Sequence, residues 1–74
     1  MTITEIRTEA LKQFASLTRH APKELDAGFS CIRDGDDLTL AFGKRTVNVT
    51  LQDGWEKADT LDLKPAAMAL YKSA

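Results

Sequence analysis

Residues 38–51 are LTLAFGKRTVNVTL, and this stretch decides the fold because its apolar residues recur with period two. Leucine and phenylalanine alternate with threonine and alanine as far as Phe42, and valine alternates with threonine and asparagine after Arg45. Two such runs separated by Gly43-Lys44 are typical of a β-hairpin with one apolar face. The sequence therefore predicts two antiparallel strands joined near Gly43.

Two loop lengths keep the apolar residues of both strands on one face, since a slip of one residue would invert one strand. A four-residue loop, 43–46, pairs Phe42 with Val47, Leu40 with Val49 and Leu38 with Leu51. A two-residue loop, Gly43-Lys44, pairs Leu40 with Val47, Leu38 with Val49 and Phe42 with Arg45. We favour the four-residue loop.

One further strand is predicted on each side of this hairpin. Residues 29–33 form the upstream strand, which reaches the hairpin through Asp34-Gly35, a dipeptide that tolerates the positive φ of tight turns. Downstream, Asp53-Gly54 is another turn, and residues 55–58 and 60–63 are predicted to form one interrupted strand. The expected sheet therefore has three or four antiparallel strands.

Helices are predicted near both ends of the chain. Thr2 and Glu5 have the spacing of a capping box, and apolar residues follow at helical intervals as far as Leu17. Pro22 disfavours helical conformation in the residue before it, so this helix should end at residue 19 or 20. Lys64-Pro65 begins a short last helix, because proline is favoured at a first helical position. Its expected apolar side contains Ala67, Leu70 and Ala74.

These elements predict one α+β domain over residues 1–74, with an N-terminal helix, a three- to four-stranded antiparallel meander and a short C-terminal helix. The chain has 10 basic and 11 acidic residues and a single cysteine, so it cannot form an internal disulfide. A reducing compartment fits best. Charged residues interrupt the apolar runs near the N-terminus, and the longest apolar stretch, residues 66–71, has only six residues, so we expect neither a secretory signal nor a membrane span. We expect a cytoplasmic protein.

Motifs for metal, phosphate and covalent chemistry are incomplete. Residues 34–37, DGDD, begin like a calcium loop, but Arg45 occupies the position that needs a bidentate glutamate. Residues 42–46, FGKRT, resemble the end of a phosphate-binding loop, but the earlier glycine is replaced by Leu38. Cys31 and His20 are the only pair typical of nucleophilic catalysis, and nothing brings them together. We therefore expect no enzyme, no metal and no cofactor.

Trp55 has two interpretations. Its ring could stack on a base in a nucleic-acid complex. Because it follows a glycine turn in a chain with few aromatic residues, a place in the core or at its rim is the better interpretation.

Two surface features remain as candidates for partner binding. Residues 24–37 carry five carboxylates against one arginine, a pattern that suits a basic partner surface or simply a solvated turn. The outer sheet face, predicted from Thr39, Ala41, Thr46, Asn48 and Thr50 with Ile32 beside them, is expected to carry no charge. Such a face suits contact with a protein. The alternative is that threonine is present only because β-branched residues favour strands. The candidate partner-binding residues are Asp34, Asp36, Asp37, Thr39, Asn48 and Thr50.

The sequence therefore favours a small non-enzymatic binding or regulatory protein that acts through protein–protein contacts at the sheet face, an edge strand or the acidic turn. A homodimer is one form of this hypothesis, and Asn48→Lys should then favour the monomer. The alternative is a nucleic-acid-binding module that uses Lys44, Arg45, Arg7, Lys12 and Arg19. A net charge of −1 and a pI near 5.7 make that alternative weaker. The third hypothesis is an enzyme whose active site forms only in an oligomer.

Overall fold

The first helix begins directly after the predicted cap, Thr2, and ends at Thr18, one residue before the predicted end. A computed structural model describes residues 1–73, and in it α1 covers Ile3–Thr18. The backbone N–H of Glu5 donates to the Thr2 hydroxyl at 3.2 Å, and the Glu5 carboxylate accepts from the backbone N–H of Thr2 at 2.9 Å. These two bonds satisfy donors that a helix start leaves free. Arg19 ends the helix in the left-handed conformation, with φ of 61°.

Three antiparallel strands follow in the order β1 (Phe29–Asp34), β2 (Asp37–Phe42) and β3 (Arg45–Thr50). Along the chain, α1 is connected to β1 by α2 (Pro22–Leu25) and a 3-10 turn, Asp26–Gly28. Each hairpin loop has two residues with glycine first, and Gly35 and Gly43 have φ of 62° and 61°. Glycine at the first loop position allows a strand pair to reverse in two residues.

The prediction of a four-residue hairpin loop is wrong. The observed pairs are Leu38 with Val49, Leu40 with Val47 and Phe42 with Arg45, as the two-residue loop requires. Arg45 is tolerated opposite Phe42 because its guanidinium reaches α3 (Lys64–Lys72) and donates to the carbonyl of Tyr71. Leu51 stays buried beyond the end of β3, where its N–H donates to the Asp36 carbonyl at 2.7 Å.

The interrupted fourth strand is also wrong, since residues 55–63 contain a 3-10 turn at Trp55–Lys57 and otherwise irregular backbone. Trp55 is only 4% exposed, and its indole N–H donates to the Asp36 carboxylate at 3.3 Å. The Arg33 guanidinium lies 5.4 Å from the centre of the indole ring. Trp55 thus anchors this segment beneath the β1–β2 turn, and its prediction as a core residue is confirmed.

Both long helices pack on one face of the sheet. The core joins α1, the sheet and α3, and its most completely buried large side chains are Ile6, Phe14, Leu38, Leu40 and Leu70. The C-terminal helix begins at the predicted Lys64, and its buried side is formed by Ala66, Ala67 and Leu70. Ala74, predicted for the same apolar side, lies outside the described residues. The predicted α+β fold is confirmed, with three strands in the sheet.

The two helices run in the same direction along the sheet. The amino group of Met1, just before α1, donates to the Glu56 carbonyl at 2.7 Å, next to Trp55 and the β1–β2 turn. At the other end of α1, the ring of Phe14 lies 5.3 Å from that of Phe42, which precedes the β2–β3 turn. The bond from Arg45 to Tyr71 places the end of α3 there too.

No helix within residues 1–73 has the length and apolar character needed to cross a membrane.

Candidate functional site

The face of the sheet that the helices leave uncovered is the main candidate surface. Side chains alternate between faces along each strand. Because Leu38 and Leu40 are fully buried against the helices, their neighbours in β2 lie on the other side. The strand register then gives the outer face three rows. The rows are Ser30, Ala41 and Thr46; Ile32, Thr39 and Asn48; and Asp34, Asp37 and Thr50.

The middle row of the outer face combines an exposed apolar side chain with a polar pair. Ile32 is 62% exposed, the most exposed large hydrophobic residue in the described part of the chain. The Asn48 side-chain amide donates to the Thr39 hydroxyl at 3.1 Å, so these two polar groups satisfy each other across the strands. Ile32 itself has no larger apolar neighbour in its row and remains open to a partner.

The expectation that the outer face carries no charge is wrong. The register places Asp34 and Asp37 opposite each other on this face, because each lies two residues from a member of the middle row. The Thr50 hydroxyl donates to Asp37 at 3.4 Å and completes that row. Asp36 lies in the adjoining turn, where it accepts from Trp55. The face therefore has an apolar centre at Ile32 and an acidic end, Asp34, Asp36 and Asp37, which we call the acidic turn.

The six predicted partner-binding residues thus lie close together. Five of them, Asp34, Asp37, Thr39, Asn48 and Thr50, are on two adjacent rows of the outer face, and Asp36 is in the turn at its end. Two other carboxylates of the same acidic run are separate from it. Asp26 forms an ion pair with Arg7 at 2.7 Å, and Glu24 accepts from the backbone N–H of Ala21 at 3.2 Å.

Two of the five residues in the nucleic-acid hypothesis are engaged within the chain. Arg7 donates to the Asp26 carboxylate and to the carbonyls of Asp26 and Phe29. Arg45 donates to the Tyr71 carbonyl. Lys12, Arg19 and Lys44 are exposed. Nineteen residues separate Arg7 from Asp26, so no local signal could have predicted the Arg7 contacts.

Charge is nevertheless segregated along the sheet. The β2–β3 turn lies at the end of the molecule that carries the basic residues Arg19, Lys44, Arg45 and Lys72, which we call the basic end. Glu24 and Asp26, directly before β1, also lie toward this end, and Asp26 is paired with Arg7. At the opposite end, the acidic turn adjoins the segment 51–63, which adds four carboxylates, Asp53, Glu56, Asp59 and Asp62, against Lys57. A molecule of net charge −1 therefore has most of its carboxylates at one end and a cluster of basic residues at the other.

Cys31 and His20 occupy unrelated places. Cys31 is half-buried on the inner face of β1, where burial raises the pKa of its thiol and the charge of Arg7 opposes that shift. His20 is exposed after α1, and its Nδ1 lies 2.8 Å from the Thr18 carbonyl oxygen. Within residues 1–73 no hydrogen bond joins the two side chains, and no group of three or more histidine, cysteine, aspartate or glutamate residues could hold a metal ion.

No protein-family model matches this chain, and no curated protein or solved structure is significantly similar to it. Its function is therefore inferred from its own surfaces.

Proposed function

We propose that the chain is a small non-enzymatic binding or regulatory protein that contacts another protein through the outer face of its sheet. The observation that supports this proposal is the exposure of Ile32, 62%, beside the acidic turn. An apolar centre with a charged rim is the usual anatomy of a protein contact surface, in which burial supplies affinity and the rim supplies orientation.

The chemistry of this face defines the partner that fits it. Ile32 requires an apolar contact, since burying a large aliphatic side chain contributes about 1.5–3 kcal/mol. Asp34, Asp36 and Asp37 require basic groups on one side of that contact. The partner is therefore a protein with an apolar patch bordered by lysine or arginine. We also propose a cytoplasmic location, which the free thiol of Cys31 supports.

Matched charge variants test this proposal. Ile32→Asp adds one negative charge to the centre of the outer face, whereas Ser16→Asp adds the same charge at an exposed position of α1. Each variant is immobilised and used for affinity capture from the native host, followed by mass spectrometry and a nucleic-acid assay of the eluate. We expect a protein that is retained by the wild type and by Ser16→Asp and lost with Ile32→Asp.

Asp34→Asn combined with Asp37→Asn tests the acidic rim in the same experiment. The captured protein should elute at lower salt from this double variant, because rim charges mainly affect encounter and salt dependence. A captured protein that binds Ile32→Asp as well as it binds the wild type would contradict the proposal. Circular dichroism of each variant shows that the fold is intact.

Nucleic-acid binding is the second candidate, because the topology brings Arg19, Lys44 and Lys72 to the same end of the molecule. Phosphate contacts by these side chains would release counterions, so binding would weaken steeply with rising salt. Titration of the wild type and of Lys44→Glu with fluorescent DNA and RNA at low salt tests this candidate. Absence of binding by the wild type would reject it.

A further inference from the structure

The two edges of the sheet differ in how their free backbone groups are protected. In an antiparallel pair, successive residues direct their N–H and C=O groups alternately toward the partner strand and away from it. The two-residue turns make Asp34 with Asp37 and Phe42 with Arg45 hydrogen-bonded pairs. The outward groups of β1 are therefore on its odd-numbered residues, and those of β3 are on Thr46, Asn48 and Thr50.

The edge at β1 is protected by charge. The Arg7 guanidinium donates to the outward carbonyl of Phe29 at 3.1 Å, and Arg33 places a second charged side chain in the same strand. Charged groups on an edge oppose pairing with another chain, because they would have to be desolvated there.

The edge at β3 has no such protection. Residues 46–50 contain no charge and no proline, and within residues 1–73 no hydrogen bond engages the outward backbone groups of Thr46, Asn48 or Thr50. A regular, uncharged edge of this kind is a template for an added strand. What distinguishes this edge further is its sequence, TVNVT, which is the same in both directions about Asn48.

We propose that β3 pairs antiparallel with β3 of a second copy, about a two-fold axis at Asn48, to form a continuous six-stranded sheet. The symmetric sequence then places like residues opposite each other: Thr46 faces Thr50, Val47 faces Val49, and Asn48 faces its own counterpart. Each facing pair of outward residues exchanges two backbone bonds, which gives about six bonds across the interface. Facing β-branched residues are favourable cross-strand pairs.

The pairing also covers apolar surface that the single chain leaves partly open. Val47 and Val49 are on the inner face and only half-buried, at the side of the core where α3 packs over β3. In the paired sheet, each of these valines gains a valine of the second copy as its cross-strand neighbour. The core of each copy, small in a chain of this size, thereby continues into the next.

The charges at the two ends of the molecule are complementary in this arrangement. Antiparallel pairing places the β2–β3 turn of one copy beside the segment that follows β3 in the other. Lys44 and Arg45 then lie near Gln52 and Asp53 of the second copy. The two-fold axis repeats this contact, so the dimer has two contacts between a basic end and an acidic end. Parallel pairing would place like charges together, which selects the antiparallel arrangement.

The pairing is independent of the proposed contact with another protein, because it uses the edge of β3 instead of the face around Ile32. Sedimentation of the wild type through the micromolar range should show a monomer–dimer equilibrium that weakens as salt is added. Mixed samples of differently labelled copies should show intermolecular NOEs between the methyl groups of Val47 and Val49. A wild type that remains monomeric throughout this range overturns the proposal.

Three variants distinguish edge pairing from pairing through the outer face. Asn48→Pro removes an outward N–H, so it leaves the bonds to β2 intact but should weaken dimerisation about tenfold or more, since two bonds are lost at the axis. Asn48→Lys places two like charges opposite each other at the axis, so it should also weaken dimerisation. Ser30→Lys adds its charge to the same outer face but on β1, the strand farthest from β3, so it should leave dimerisation within about twofold of the wild type.

The opposite pattern, in which Ser30→Lys dissociates the dimer and Asn48→Pro does not, would contradict edge pairing. All three variants are compared by circular dichroism and thermal unfolding, and the labelled-copy NOEs of the wild type test the pairing even where a variant fails to fold.

Discussion

Replacement of Arg7 by methionine should destabilise the fold much more than its place on the surface of α1 suggests. The Arg7 side chain is 32% exposed, yet its guanidinium makes an ion pair with Asp26 at 2.7 Å and donates at 3.1 Å to the carbonyls of both Asp26 and Phe29. It also lies 5.6 Å from the centre of the Phe29 ring. Methionine keeps most of the apolar stem and removes all of these contacts.

The size of the effect follows from the individual contacts. An exposed ion pair contributes about 0.5 kcal/mol, because solvent screens it. The two bonds to carbonyls contribute about 1 kcal/mol each, since a charged donor is strong but partly solvated here. The contact with the Phe29 ring adds about 0.5 kcal/mol. We expect Arg7→Met to lower the free energy of unfolding by about 2–3 kcal/mol and the melting temperature by about 10–20 °C.

Urea and thermal unfolding followed by circular dichroism measure this change. Asp26→Asn is the matched control, because it weakens the ion pair and leaves the bonds to the two carbonyls, so it should cost only about 0.5 kcal/mol. If Arg7→Met unfolds within 0.5 kcal/mol of the wild type, or if the two variants are equally destabilised, the inferred role of the carbonyl contacts is wrong. In that case Arg7 would again be free for the basic surface of the nucleic-acid hypothesis.

Three further changes have defined outcomes. Hydrogen bonds to the Thr2 backbone and side chain lower the pKa of Glu5 below its ordinary value of 4.5. The stability that Glu5 contributes is therefore present above pH 4.5 and lost as the pH falls through the lowered pKa. In acid titrations, the free energy of unfolding of Glu5→Gln should fall less than that of the wild type. Arg19→Gly should raise the free energy of unfolding by about 0.5–1 kcal/mol, because glycine adopts positive φ without strain, whereas Ser16→Gly in α1 should lower it. Burial raises the pKa of the Cys31 thiol above its ordinary value of 9.0, so iodoacetamide at pH 8 should modify the native protein more slowly than the urea-unfolded protein, and equal rates would contradict the half-buried position.

Local signals in the sequence were enough to predict the elements with strong caps and regular periods. The Thr2–Glu5 capping box, the glycine turns and the proline near the start of α3 each act over a few residues, so their effect is visible without the rest of the fold. The expected start of α1, the expected end of β2 at Phe42 and the expected start of α3 agree with the structure for this reason.

Features that depend on distant residues were predicted less well. The two loop lengths of the hairpin differ in whether Arg45 or Val47 faces Phe42, and the carbonyl of Tyr71 that accommodates Arg45 lies twenty-six residues away. The segment after β3 has the alternation of a strand, but the burial of Trp55 and its bond to Asp36 hold it as a 3-10 turn. Tertiary contacts override local preference in both cases.

The candidate surface also combines features that local sequence predicts with features that depend on distant residues. Thr39, Asn48 and Thr50 could be assigned to one face from period two alone, since that period is a local property of a strand. The position of Asp34 and Asp37 on that face depends on the turn between them, so the acidic end of the face was not foreseen. The Arg7 contacts also depend on packing between α1 and the region around α2.

Site-specific photocrosslinking at position 32 tests the central proposal, contact with another protein through the outer sheet face, most directly. A photoreactive phenylalanine analogue replaces Ile32 in one sample and Lys12, exposed on α1, in the other, and each is irradiated in extracts of the native host. We predict a crosslinked protein that forms from position 32 but not from position 12 and disappears when excess unlabelled wild type is added, whereas excess Ile32→Asp leaves it unchanged. Equal crosslinking from the two positions, or none from position 32, would contradict the proposal.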